Sequence, residues 1–226
     1  MSRIPGSVTR VIFICFGAEI QLNSMQFSEI KDRLKVKTVG IAGCGGLGSN
    51  AAVALARVGV GKLIVVDFDL IEESNLNRQF YFSDQLGMQK VSALKENIQR
   101  INPAIHVEAH SVKLKPNDIV QLFKECDVIL EAFDLAEMKE MIIETVLTEL
   151  PEIPLISGVG MAGWGRNDRI RNEQHGRLHI VGDGVSEASE MHPPLAPRVG
   201  VVSNMMANVA MELLLGKELE DEDSPE

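Results

Sequence analysis

The residues of this chain that could do chemistry fall in a few short stretches. Residues 40–50, GIAGCGGLGSN, place Gly43, Gly45 and Gly48 in the spacing GxGxxG. A glycine turn between an apolar run and an alanine-rich one receives a phosphate. The first glycine permits the tight turn, the second lets backbone approach the anion, and the third lets helix and strand pack closely. The first N–H groups of the following helix then face the anion. Asp67 ends the next apolar run, about 20 residues on, where an acid that binds ribose hydroxyls is expected.

A dinucleotide cofactor and a nucleoside triphosphate both satisfy those residues. The segment DFDLIEESNLNRQFYFSDQLGMQK, residues 67–90, separates them. Backbone N–H groups can largely handle a diphosphate, whereas a triphosphate attacked at its α-phosphorus needs cations near both ends of the displacement. Arg78 and Lys90 supply that charge, with Asn75, Asn77 and Gln79 as neutral donors beside them. A second acid, Asp134, follows the apolar run DVILEAF. It suits Mg²⁺, which typically takes one or two carboxylates with water and phosphate oxygens, and it equally suits the N-cap of the helix after it.

The elements that must carry these groups alternate. SEIKDRLK reads as a short amphipathic helix, TVGIAG as a buried strand, and LGSNAAVALARVGV as a helix ending at Gly59. KLIVVDFD is apolar without alternation, as in a strand covered on both faces. SDQLGMQKVSALKENIQRI reads as a helix beginning near Asp84 and stopped by Asn102-Pro103. Strands at HVEAHSV, DVILEAF, IPLISG and RLHIVGDG, and helices at PNDIVQLFKEC, LAEMKEMIIETVLTEL and VGVVSNMMANVAMELLLG, complete the rhythm. It implies an α/β fold: a Rossmann-like, mainly parallel sheet flanked by helices, with a C-terminal antiparallel extension. Ligands of such sheets sit at the carboxyl ends of the strands, where the residues above are found.

With 226 residues, 45% of them hydrophobic, the chain can bury one sizeable core. Residues 26–216 read as the nucleotide-binding domain, 1–25 as an N-terminal extension and 217–226 as a solvated acidic tail. The head contains VIFICFGA, which imitates a signal peptide weakly and reads better as a short strand or loose extension. A net charge of −10 argues against nucleic-acid or anionic-membrane partners. No apolar run approaches the ~20 residues of a membrane span. Cys15, Cys44 and Cys126 have neither CxxC spacing nor an even count, which implies no disulfide framework and a reducing, cytoplasmic compartment.

The stretches GIAGCGGLGSN, VVDFD, SNLNRQ, GMQK, INP and EAFD, in this order, resemble the ubiquitin-activating-enzyme-like adenylyltransferase family typified by MoeB, ThiF and HesA. The resemblance runs from about residue 26 to about 216. EAFDLAEMK, GMAGWG and VGDGVSEASE…APRVG are most similar to the compact ThiF branch, the activators of ThiS in thiamine biosynthesis. It implies adenylation of the C-terminal glycine carboxylate of a small β-grasp sulfur carrier by ATP. By motif, Gly43, Gly45 and Gly46 line the phosphate turn, and Asp67 and Asp69 belong to the nucleotide site, Asp67 taking the ribose. Asn75, Arg78, Gln79 and Lys90 address the phosphates, and Asp134 takes Mg²⁺.

The sequence also departs from the family. Paired CxxC zinc ligands are missing, so zinc is not expected. No cysteine follows Cys126, so sulfur must come from a separate donor. The N-terminal arginine that a partner subunit contributes in related enzymes has no counterpart, Arg33 being a poor substitute, and a homodimer stays an open question. Cys44 reads as a small residue in a tight loop rather than a nucleophile. Trp164 either flanks a channel for the carrier tail or anchors a loop. His175, His179 and His192 lack metal spacing, Met205, Met206 and Met211 suit core packing, and GDGVSEASEMHPPLAPRVG reads as a mobile loop over the site. An NAD(P)-dependent oxidoreductase, which leaves Arg78 and Lys90 unexplained, and a non-catalytic nucleotide-binding or carrier-docking protein remain as alternatives.

Overall fold

A computed structural model describes residues 25–216. Along the chain come α1 (Phe27–Leu34), β1 (Thr38–Ala42), α2 (Gly46–Val58), β2 (Lys62–Val66), α3 (Lys90–Ile101), β3 (His106–His110), α4 (Pro116–Phe123) and β4 (Val128–Glu131). Then follow α5 (Ala136–Glu149), β5 (Leu155–Gly158), β6 (Arg171–His175), β7 (Leu178–Gly182) and α6 (Ala196–Leu215). The strands form one sheet in the order β3-β2-β1-β4-β5-β7-β6. All neighbours pair in parallel except β6, which runs antiparallel to β7 at the edge. This is the expected mainly parallel sheet with its antiparallel extension. The polar run RNEQH that forms β6 carries no apolar alternation, and the sequence reading leaves it out.

Alternation along the strands divides the core. Val39 and Ile41 of β1, Leu63 and Val65 of β2, and Val128 and Leu130 of β4 pack on one face with α2, α3 and α6. Ala42, Ile64, Val66 and Ile129 face the other way, toward Ile119 and Phe123 of α4 and Ile142 and Val146 of α5. β1, β2 and β4 are thus buried on both sides, which explains their nearly unbroken apolar runs. Met206 is fully buried in the first layer, and Met205 and Met211 pack against it.

One element boundary differs from expectation in a way that matters. The helix expected from Asp84 begins only at Lys90; before it stand one 3₁₀ turn, Ser83–Gln85, and Gly87 at φ +81°. The Gln85 amide turns inward, accepting from Phe82 N and donating to Asn97 Oδ1 at 2.8 Å. Backbone bonds Ile71 N to Met88 O (2.9 Å) and Lys90 N to Asp69 O (3.0 Å) then draw the segment against the chain leaving β2. Lys90 therefore opens α3 instead of riding in its second turn. The N-terminal extension and the acidic tail lie outside the described residues, as does Cys15. Among the described residues no helix is long and apolar enough to cross a membrane.

Candidate functional site

The carboxyl ends of β1, β2 and β4 open onto a cavity of about 330 Å³. Its floor is the turn between β1 and α2. Gly43 stands at φ +95°, and a Cβ there would meet the Ala132 carbonyl at 2.8 Å, so the position requires glycine. Gly48 packs so closely that a Cβ would overlap the Gly43 carbonyl oxygen. Gly45 is the N-cap of α2, whose first-turn N–H groups have no partner within the helix.

The turn is held from both sides of Cys44. Its N–H donates to Asp67 Oδ2 at 2.7 Å, and its carbonyl accepts from the Tyr81 hydroxyl at 2.7 Å. The remaining Asp67 oxygen accepts from Asp69 N at 2.8 Å. Burial raises the Asp67 pKa above the ordinary carboxylate value, opposed by the Lys90 ammonium and those two N–H groups. Burial, with Asp67 beside it, also raises the Cys44 thiol pKa well above the usual value. A fully buried, protonated thiol is no nucleophile, so Cys44 serves as a small residue in a tight loop.

Both expected cations reach this cavity. Lys90, 6% exposed, donates from Nζ to Asp69 Oδ2 at 2.7 Å. Arg78 lies with its stem against Gly46, its Cγ 3.5 Å from where a Cβ would stand, and its Nη1 donates to Ser74 O (2.9 Å) and Asn77 Oδ1 (2.7 Å). Gln79 is 8% exposed, and its Oε1 is buried without a hydrogen-bond partner. Gly43, Gly45, Gly46, Asp67, Asp69, Arg78, Gln79, Lys90 and Asp134 all line the one cavity. Asn75 does not: its Oδ1 accepts from Glu72 N at 3.1 Å, closing the turn before Arg78. Asn77 instead ties the wall, donating to Pro194 O at 3.3 Å.

Asp134 sits exposed at the mouth. It is not the cap of α5; the N-cap residue is Leu135, without a side-chain cap. The carboxylate therefore remains available, and one acid with water and phosphate oxygens is a donor set that fits Mg²⁺. Among the described residues no three His, Cys, Asp or Glu side chains converge to hold a metal by themselves. His175 and His192 are exposed and His179 is buried in β7.

Several contributors escape sequence reasoning. Ser49 Oγ donates to Gly45 O (2.7 Å) and accepts from Phe80 N (3.0 Å), while Asn50 Nδ2 reaches Gly46 O and Arg78 O at 2.6 and 2.9 Å. With Tyr81 they staple the Arg78 loop to the glycine turn. Lys113, just past β3, is a third cation in the lining, its Nζ 5.9 Å from the Phe68 ring centroid. Its position after the strand beside β2 is the only hint in the sequence. The long segment before α6 contributes Ala188 and Pro194 to the wall. It is fastened by a buried pair, Asp183 Oδ2 to Arg198 Nη2 at 2.6 Å. Trp164, 77% exposed, lines a separate hollow of about 180 Å³ with Leu195, Pro197 and Val201, so it does not anchor its loop by burial. Arg33 lies outside the cavity and pairs with Glu29 on α1 at 3.0 Å.

A mainly parallel sheet whose strand ends gather a glycine turn, two cations and the Asp67 and Asp69 carboxylates in one cavity defines a nucleotide-phosphate-binding α/β protein. More narrowly, the chain belongs to the ThiF family, whose model matches residues 17–225. It is 31% identical to the molybdopterin-synthase adenylyltransferase of Haemophilus influenzae over 212 residues, 90% of this chain and 86% of that one. It is 32% identical to ubiquitin-like modifier-activating enzyme 5 of Gallus gallus, over 74% of this chain. The chain spans only 43% of that relative's length. In fold it is similar to the E. coli tRNA N6-threonylcarbamoyladenosine dehydratase TcdA, crystallised with ATP: TM-score 0.74 at 19% identity, covering 82% of this chain and 88% of TcdA.

Proposed function

We propose that the protein uses ATP to adenylate the C-terminal glycine carboxylate of a small β-grasp sulfur carrier of the ThiS kind, releasing pyrophosphate, as a step toward thiamine. The observation that carries this reading is the meeting of Arg78 and Lys90 with the glycine turn in one cavity. An NAD(P)-dependent hydride transfer leaves this pair of cations at the glycine turn unexplained. Membership of the ThiF family and the likeness to a molybdopterin-synthase adenylyltransferase support the same reaction class.

The carrier carboxylate attacks the α-phosphorus, the bond to the bridging oxygen breaks, and pyrophosphate departs with the electron pair. The helix N-terminus at Gly45–Gly46 receives phosphate oxygens. Arg78 and Lys90 stabilise charge that grows on the phosphates as the bond breaks. Asp67 takes the ribose hydroxyls with its remaining acceptor capacity. Asp134 would hold Mg²⁺, which when bound neutralises phosphate charge and aligns the leaving group. Sulfur is assigned to a separate donor: among the described residues both cysteines, Cys44 and Cys126, are buried, and burial pushes the Cys126 thiol to about 12.

Pyrophosphate–ATP exchange measured with and without an added ThiS-like carrier tests the reading. Exchange that requires the carrier is expected. Exchange without it, or NADH binding in place of ATP binding, overturns the proposal.

A further inference from the structure

Beneath the Asp134 loop lies a polar group that the reaction above does not use. Glu131, the last residue of β4, pairs in register with Ser157 of β5. Both side chains enter the layer between the sheet and α5, and both residues are fully buried. Glu131 Oε1 accepts from Phe133 N at 2.7 Å and Oε2 from Ser157 Oγ at 2.5 Å. Lys139 Nζ donates to both carboxylate oxygens at 2.9 Å and to Gly158 O at 2.8 Å. All three ammonium protons are thus engaged, and each carboxylate oxygen takes two donors.

Stability alone does not account for this arrangement. A buried ion pair is commonly no better than an apolar pair of the same volume. Lys139 also stands in the first turn of α5, where the helix dipole disfavours a cation. What the pair does is join the end of β4, the end of β5 and the start of α5. The loops that leave these strand ends, through Asp134 and through Met161, both line the cavity. Within the Asp134 loop, Phe133 N is held by Glu131, while α5 has no side-chain cap of its own.

We infer that Glu131, Lys139 and Ser157 are positioning residues that hold the Asp134 carboxylate where a phosphate-bound divalent cation needs it. The inference rests on the adenylation reading. Its test is calorimetric titration of the full chain with ATP, in EDTA and in Mn²⁺, alongside urea unfolding. Two changes are compared: Glu131→Gln, and the apolar pair Glu131→Leu with Lys139→Met. In EDTA, ATP affinity stays within about twofold of wild type, while the Mn²⁺-dependent tightening weakens by about tenfold, the scale on which outer partners of metal ligands act. The apolar pair, which leaves no unpaired buried charge, recovers part of the unfolding midpoint that Glu131→Gln loses, yet none of the tightening. Wild-type Mn²⁺ tightening in the apolar pair overturns the inference and leaves a purely structural clamp. A wild type whose ATP binding ignores Mn²⁺ refutes instead the metal-assisted reading on which it stands.

Discussion

Tyr81→Phe isolates one bond that links fold to phosphate binding. Tyr81 is 7% exposed, and its ring packs in the same core layer as α2 and α3. Burial, with Cys44, Asp67 and Asp69 nearby, raises its pKa well above the usual tyrosine value, so the hydroxyl is a donor at any working pH. It donates at 2.7 Å to the Cys44 carbonyl inside the glycine turn. Phenylalanine keeps the ring and deletes only that donor. The carbonyl, far from water, is left unsatisfied at a cost of about 2 kcal/mol. For a chain of this size that lowers the melting midpoint by roughly 4–8 °C.

The functional consequence follows from the partner of the same residue. The Cys44 N–H is held by Asp67, and the Cys44 carbonyl by Tyr81. With one side released, the turn must be re-ordered by the ligand, and ATP affinity falls by up to about tenfold if most of that 2 kcal/mol is drawn from binding. Urea unfolding and ATP titration of the same preparation measure the two effects. Lower stability with unchanged ATP affinity would show that the turn keeps its shape without the tyrosine, and the argument for pre-organisation would fail. No change in either means the bond contributes nothing.

Other substitutions probe separate parts of the site. Arg78→Ala and Asp134→Ala each reduce carrier-dependent exchange by at least about 100-fold, the scale of losing one transition-state contact. Circular dichroism melts stay near wild type; retained exchange in both variants removes their assigned roles. Cys44→Ala keeps exchange, and peptide mapping after iodoacetamide treatment finds native Cys44 unmodified but urea-unfolded Cys44 labelled; labelling in the native protein contradicts its burial. Burial opposes ionisation of Asp183, but the Val185 and Ser186 N–H groups, the Ser186 hydroxyl and Arg198 outweigh it and lower its pKa below 3.8. Because the folded value is the lower one, the stabilisation is complete at neutral pH and is lost as pH falls below 3.8 through the folded value. Asp183→Asn therefore costs about 3–5 kcal/mol at pH 7, and the gap to wild type closes in acid, as read by urea unfolding across pH.

The layered fold, the glycine turn and the two cations were legible because each depends on local chemistry. Apolar runs without alternation mark doubly covered strands, and Gly59 and Pro151 mark helix ends. What depends on pairing between distant segments was not legible. The true start of α3 depends on Gln85 reaching Asn97, a partner twelve residues away, which no local propensity encodes. Lys113, Tyr81, Ser49 and Asn50 enter the site through pairings that exist only once α2, β3 and the Arg78 loop are packed together. Asn75 fails to line the cavity for a similar reason: its amide completes a turn, a use that reads the same in sequence as a phosphate contact.

The charge arrangement explains why the site is built with so much internal pairing. Among the described residues the cavity wall carries Asp67, Asp69 and Asp134 against Arg78, Lys90 and Lys113, three acids facing three cations. Buried Lys90 and half-buried Arg78 each have partners that keep their positions: Lys90 has Asp69, and Arg78 has Ser74 O and Asn77. Lys90 opens α3, where the dipole alone would repel it, so the pair with Asp69 is what makes that location tolerable. A triphosphate entering this wall, whose three acids and three cations sum to no net charge, brings more negative charge than the wall alone offsets. The helix N-terminus of α2 supplies part of the difference as fixed partial charge. The adenylation proposal assigns the remainder to a divalent cation at the mouth, where Asp134 stands exposed above the Phe133 N–H that Glu131 holds.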